Sequence, residues 1–283
     1  MSVFRFTFIA LLVAGLGTVA FADEMPRVDA ARVGFSPSAA ASKNVAALQK
    51  ALNGGHKTVS VTAPGIYDLD ATVYLDSHTR LACGKGVTLR KAAPYGFMLI
   101  NRGVLTREWN ERIAIDGLHI ACNGHSRLPP PNDPAYGMRG QVSMFRVKGI
   151  EVTNFRCLDV KETQFCLHFC TFEDLLVDGF ETRGRKDGVH LGPGKGFVIR
   201  NGVCQTGDDA IAGNGRLVAT TGNVHPIAVD LTIENCPFRP GDKPDSLPDV
   251  SLGGKVTGKI VVRGNVEERP TRLAVPESVE VKR

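Results

Sequence analysis

One six-residue template recurs six times in this 283-residue chain, and its phase restricts the fold more than any other feature. The copies are Ile113-Ala-Ile115-Asp-Gly-Leu118, Ile150-Glu-Val152-Thr-Asn-Phe155, Leu175-Leu-Val177-Asp-Gly-Phe180, Phe197-Val-Ile199-Arg-Asn-Gly202, Leu231-Thr-Ile233-Glu-Asn-Cys236 and Ile260-Val-Val262-Arg-Gly-Asn265. The first and third positions are apolar, which is the alternation of a strand with one buried face. The fifth is always Gly or Asn, the residues that reach positive φ at least cost. Successive copies start 37, 25, 22, 34 and 29 residues apart, too far for hairpins and too regular for unrelated loops. A coil of short strands, with one fixed corner and one variable loop per turn, accounts for both facts. Stacked coils pair their backbones above and below and bury the inward side chains. A β-sandwich would alternate too, but would not keep Gly or Asn at one phase. The expected fold is all-β, a single-stranded parallel β-helix or solenoid over most of residues 42–270.

The open end of a solenoid needs a cover. Ser42 is the expected cap of a short N-terminal helix that carries Val45, Leu48 and Leu52 on one face and stops at Gly54-Gly55, a natural plug. Strands are expected at 58–61, 72–75 and 87–89, with turns at Pro64-Gly65 and Cys83-Gly84. The run Pro129-Pro130-Pro131-Asn132-Asp133-Pro134 cannot continue a sheet, so it is expected as a surface excursion of the kind that walls a groove. Trp109 and Tyr136 offer sugar-stacking faces, although core or rim packing is the default for each.

Residues 1–22 read as a secretory signal peptide, with Arg5 at its start, an apolar stretch from Phe6 to Ala20, and small residues around Ala20-Phe21-Ala22. The expected organisation is a signal peptide, 1–22, followed by one β-helix domain, 23–283, secreted or periplasmic. No other apolar run is long enough to span a bilayer. Removing Arg5 lowers the net charge from +5 to +4, too mild to argue for nucleic acid. It suits an anionic polysaccharide, since Arg183, Arg185, Lys186, Lys195 and Arg200 crowd around Asp187. The expected partner is a polysaccharide or oligosaccharide, with no membrane after signal removal, and the expected state is a monomer.

The seven cysteines, an odd number, do not resemble a small disulfide scaffold. Cys157 and Cys204 fall at equivalent places in the repeat, which suggests a stack of small buried residues. Cys166 and Cys170 with His168, and His119 with Cys122 and His125, lack the paired ligand spacing of zinc sites. No metal and no cofactor is expected.

The chemistry concentrates in Asp187-Gly188-Val189-His190-Leu191-Gly192 and Thr206-Gly207-Asp208-Asp209-Ala210-Ile211. Asp187 and Asp208 are separated by 21 residues, close to one turn of the coil, so three carboxylates would share one patch. Each Asp-Gly or Gly-Asp pair alone is an ordinary turn signal. Both stand at a strand entrance at matching phase, which turns favour no more than chance. Carboxylates this close cannot all ionise at ordinary cost, so one is free to act as acid and another as base, as glycosidic cleavage requires.

These motifs, together with Phe197-Val198-Ile199-Arg200-Asn201, resemble the polygalacturonase-type enzymes of glycoside hydrolase family 28, in the pectin lyase-like superfamily. The resemblance implies a right-handed parallel β-helix that hydrolyses pectic or related polysaccharides with inversion. It makes Asp208 the general acid and Asp187 and Asp209 the carboxylates that activate water. It gives Gly207 the turn that lets both following carboxylates reach the groove. His190, Arg185 and Lys186 are the candidate substrate-binding residues, His190 being expected on the face opposite Asp187 in a structural role. Arg185-Lys186 stands where the family has Asn-Thr. The family's Gly-His-Gly and Arg-x-Lys motifs are absent, His225 and the segment from Arg239 to Lys243 being no match. Two alternatives remain: a polysaccharide lyase on the same fold, with calcium and a basic proton acceptor, and a non-catalytic carbohydrate-binding β-helix.

Overall fold

Corners set this architecture. In the computed structural model Gly117, Asn154, Gly179 and Asn201, the fifth residues of four consecutive copies, have φ of 69°, 53°, 69° and 53°. The structure describes residues 25–214 apart from 95, 126, 129, 131 and 162, the strands Ile227–Glu234, Val250–Gly253 and Val256–Arg263, and residues 273–282 apart from 276. The signal segment, Cys236, His225 and the corners at Asn235 and Gly264 lie outside the described residues.

The register reproduces every step read from the repeat. Ile113 pairs with Ile150, Ile150 with Leu175, Leu175 with Phe197, Phe197 with Leu231, and Leu231 with Ile260, always in parallel. All the described strands join one 19-stranded sheet that winds on itself. Pairing begins earlier and ends later than the repeat indicates, from Arg27 against Thr58 to Val279–Lys282 against Gly258–Val261. Strands at Gly65–Leu69 and Thr79–Cys83 were not legible in the sequence, because their outward positions carry Asp68 and Arg80 and their cores are short.

A second corner also escapes the sequence reading. Arg112, Gly149, Asp174 and Gly196, one residue before each template, have φ of 51°, 72°, 57° and 67°. Arg rarely takes positive φ, and with Arg, Gly, Asp and Gly in successive coils the position shows no shared residue type. Between corners the inward side chains stack in columns. Ile113, Ile150, Leu175 and Phe197 are all buried, each contributing roughly 1.5–3 kcal/mol. Another column runs Cys157, Thr182, Cys204, the stack of small residues expected from the cysteine phase, and it begins on the larger Ile120. No disulfide joins the described cysteines.

The N-terminal helix spans Ala41–Leu52 and buries Ala47, Leu48, Ala51 and Leu52. Its N-cap is Ala40, with no side-chain cap bond, and Ser42 lies inside the first turn. Gly54 and Gly55 follow it at positive φ. The Pro-rich excursion does more than project: Ala135 and Met138 fold back over Phe97, Ile100, Phe145 and Cys170, burying the outward face of three coils in a second apolar cluster. Trp109 and Tyr136 stay exposed, and Lys148 Nζ sits 5.3 Å above the Trp109 ring.

Candidate active site

The coil step at the motif is 22 residues, one more than the interval from Asp187 to Asp208. Val189 pairs with Ile211 and His190 with Ala212. The ladder runs back through Gly188 N donating to Asp209 O at 3.1 Å, and Cys166 N donating to Asp187 O at 3.1 Å. Asp187 therefore sits level with Asp209 on one side and Phe165 on the other, while Asp208 comes level with Lys186. One carboxylate oxygen from each of Asp187, Asp208 and Asp209 lies within 4.8 Å of the other two. The expected convergence is observed, with different register partners.

Glycine and threonine hold this corner. A Cβ on Gly188 would meet Thr182 Oγ1 at 2.6 Å and Ala210 O at 2.7 Å, so adjacent coils approach closer there than any other residue permits. Thr206 Oγ1 donates to Asp208 O at 3.1 Å, and Gly207 N donates to Gly184 O at 2.7 Å. Gly207 is not in the left-handed region. The chain does bend at Gly207, and the glycine is required there by space, since a Cβ would stand 3.1 Å from Arg185 Cα and O.

The three carboxylates differ in surroundings. Asp187 is 3% exposed, and its Oδ2 lies 2.6 Å from His190 Nδ1. This corrects the expectation that His190 faces away. Residues 185–188 bend before the strand Val189–Leu191 begins, so strand alternation does not reach back to Asp187. Phe165 stacks on the His190 ring at 4.2 Å with an interplanar angle of 2°, and His168 presents its ring edge-on at 5.0 Å. His168 Nδ1 accepts the Arg139 backbone N–H at 3.0 Å, which leaves the proton of the neutral ring on Nε2. Burial pushes the His168 pKa well below its ordinary value, and the charges of His190 and Arg139 act the same way. Phe165 and His168 were missed in the sequence, although stepping back 22 residues from Asp187 and from His190 along the register finds both.

Asp208 is engaged by the Lys186 ammonium. That hydrogen bond raises the Lys186 pKa against the cost of burial, with the charges of Asp208 and Asp187 adding and Arg139 opposing. Arg185 is exposed beside Gly207. Carboxylate oxygens this close also suit a divalent cation, but here an ammonium already supplies the positive charge at Asp208. A second cluster, Cys122, Cys157 and Asp159, has a compatible spacing, yet Asp159 spends both oxygens on the backbone N–H groups of Cys122 and Asn123. Both thiols are pushed well above the ordinary cysteine value, Cys122 by its hydrogen bond to Cys157 and by burial, and Cys157, against the lowering effect of that same bond, by its hydrogen bond to Cys166 and by burial.

No sequence-family model and no curated protein matches the chain. Solved structures do match. The Yersinia enterocolitica family 28 exopolygalacturonase superposes with a TM-score of 0.61 at 12% identity, covering 92% of this chain and 63% of that one. The Streptococcus pneumoniae surface protein and adhesin PfbA gives 0.59 at 15%, over 91% and 73%. The fold is a parallel β-helix. A Parabacteroides merdae protein provisionally described as a glycosyl hydrolase gives 0.52 at 12%, over 75% of this chain and 95% of that one. At these identities the likeness concerns the β-helix, and the two glycosidase names and one adhesin name leave its use open.

Proposed function

We propose that this β-helix is an exported glycoside hydrolase of the family 28 type, acting on a pectic or related polysaccharide. The observation that carries this reading is the convergence of Asp187, Asp208 and Asp209 within 4.8 Å on one corner. A binding module has no need of three carboxylates in mutual repulsion, whereas acid and base catalysis at one bond does. In this reading the signal peptide at 1–22 directs export, the helix Ala41–Leu52 plugs the N-terminal end, and residues 23–283 act as one domain.

Asp208 protonates the leaving oxygen, while Asp187 and Asp209, level on adjacent coils, hold and deprotonate water. The His190 bond fixes the Asp187 carboxylate in one orientation, and Phe165 fixes the imidazole. Inverting pairs usually stand roughly 6.5–9.5 Å apart, and retaining pairs about 5–5.5 Å. Which class applies is read from the anomeric configuration of the first product. Proton NMR of the first-formed sugar answers it: inverted anomeric configuration supports water activation by Asp187 and Asp209, and retained configuration makes one of them a nucleophile.

A further inference from the structure

Three coil steps from Asp208 stands a cation that carries no sequence motif. Gly140 pairs with Phe165, and Phe165 is level with Asp187, so one residue earlier Arg139, Gln164, Lys186 and Asp208 form a single column. Stacked strands lie roughly 4.8 Å apart, which puts the Arg139 backbone about 14 Å from that of Asp208 along the coil axis. We propose that Arg139 forms a remote subsite for an anionic group of the glycan, so that the site reads chain length. The inference rests on the hydrolase reading for the place where the bond is cleaved.

The backbone fixes Arg139 in this position. Its N–H donates to His168 Nδ1 at 3.0 Å, and its carbonyl accepts the Phe165 N–H at 2.9 Å. A Cβ on Gly140 would stand 2.5 Å from His168 N, so only glycine lets the Pro-rich excursion return this close to that coil. Both backbone groups of Arg139 are thus spent on the coil whose Phe165 and His168 rings pack against His190. The side chain is not. Arg139 is exposed, and among the described residues its guanidinium has no hydrogen-bond or ion-pair partner. Asp208 is held by Lys186 and Asp187 by His190, so neither carboxylate draws the guanidinium across the corner. Gln164, on the coil between Arg139 and Lys186, is buried and bonded to Lys91, Gln141 and Gly96. The Arg139 charge nevertheless reaches both His168 and Lys186. A planar guanidinium takes a carboxylate through two parallel hydrogen bonds, which an ammonium cannot do. A glycan lying along the column from Asp208 would have to extend over three coils to meet it.

Isothermal titration calorimetry tests this with galacturonate oligomers of two and of six units, in the Asp208→Asn background that keeps both ligands intact. The six-unit ligand should bind more tightly than the two-unit one. Adding Arg139→Gln should weaken the six-unit ligand about tenfold and remove that advantage, because a two-unit ligand at the catalytic corner is too short to reach Arg139. Arg139→Lys should recover only part of the loss, since it keeps the charge without the fork. With Asp208 restored, the loss for the six-unit substrate should fall on KM rather than kcat. A loss equal for both lengths, no loss at all, or failure of both oligomers to bind overturns the subsite. Cleavage of the six-unit substrate with the same KM in wild type and Arg139→Gln rejects the subsite and leaves the hydrolase standing. Length-dependent loss of binding, in a chain that cleaves neither oligomer when Asp208 is present, keeps the subsite and rejects the hydrolase.

Discussion

Gly179→Val tests the corner logic on which the site depends. Gly179 has φ of 69°, a region that costs an L-residue roughly 1–2 kcal/mol and a β-branched one more. A Cβ there would also stand 3.1 Å from Asn154 Oδ1. Moving Asn154 would loosen its 2.9 Å bond to Asp116, worth about 0.5–1.5 kcal/mol. The sum is a loss of about 2–3 kcal/mol, or roughly 5–10 °C in Tm for a chain of this size. Urea unfolding followed by circular dichroism measures it, beside Gly179→Asn, which copies the neighbouring corners at Asn154 and Asn201, and Leu176→Val on the outward side of the same strand. Both controls should lose less than about 1 kcal/mol. If Val is tolerated as well as Asn, the left-handed stack does not hold the coils together.

Two further outcomes follow from the site. The unfolded chain protonates His168 near its usual value of about 6.5 while the folded chain resists. The unfolded state then binds more protons below that pH, so stability should fall as pH drops below about 6.5, by up to roughly 1.4 kcal/mol per unit. His168→Gln should flatten that slope in denaturation curves between pH 4 and 7, and an unchanged slope would assign it to other groups. Because Lys186 supplies the positive charge at Asp208, turnover should survive dialysis against EDTA. Loss on chelation with recovery on adding calcium would favour the lyase alternative.

The repeat was legible because both its signals are compositional: aliphatic residues two apart, and Gly or Asn at a corner. All five steps between templates became strand registers. The parallel corner at Arg112 and Asp174 was not legible, since stacking on the coils above and below overrides their local preference. The carboxylate trio was found from spacing, but its register was displaced by one residue, and that displacement puts Lys186 rather than Asp187 level with Asp208. The His190 contact lay beyond alternation because the bend at 185–188 re-aims Asp187. Phe165 carried no motif and His168 was weighed only as a metal ligand beside Cys166 and Cys170, so only the structure's 22-residue step connects them to the site.

The most direct test incubates the mature protein with acidic and neutral polysaccharides and follows reducing ends together with near-ultraviolet absorbance, for wild type and Asp208→Asn. The account predicts reducing ends from an acidic glycan without the absorbance of an unsaturated sugar. It also predicts that Asp208→Asn, folded and still binding, is slower by roughly a hundred- to ten-thousand-fold. Unsaturated products, or an Asp208→Asn variant that cleaves at the wild-type rate, would contradict it.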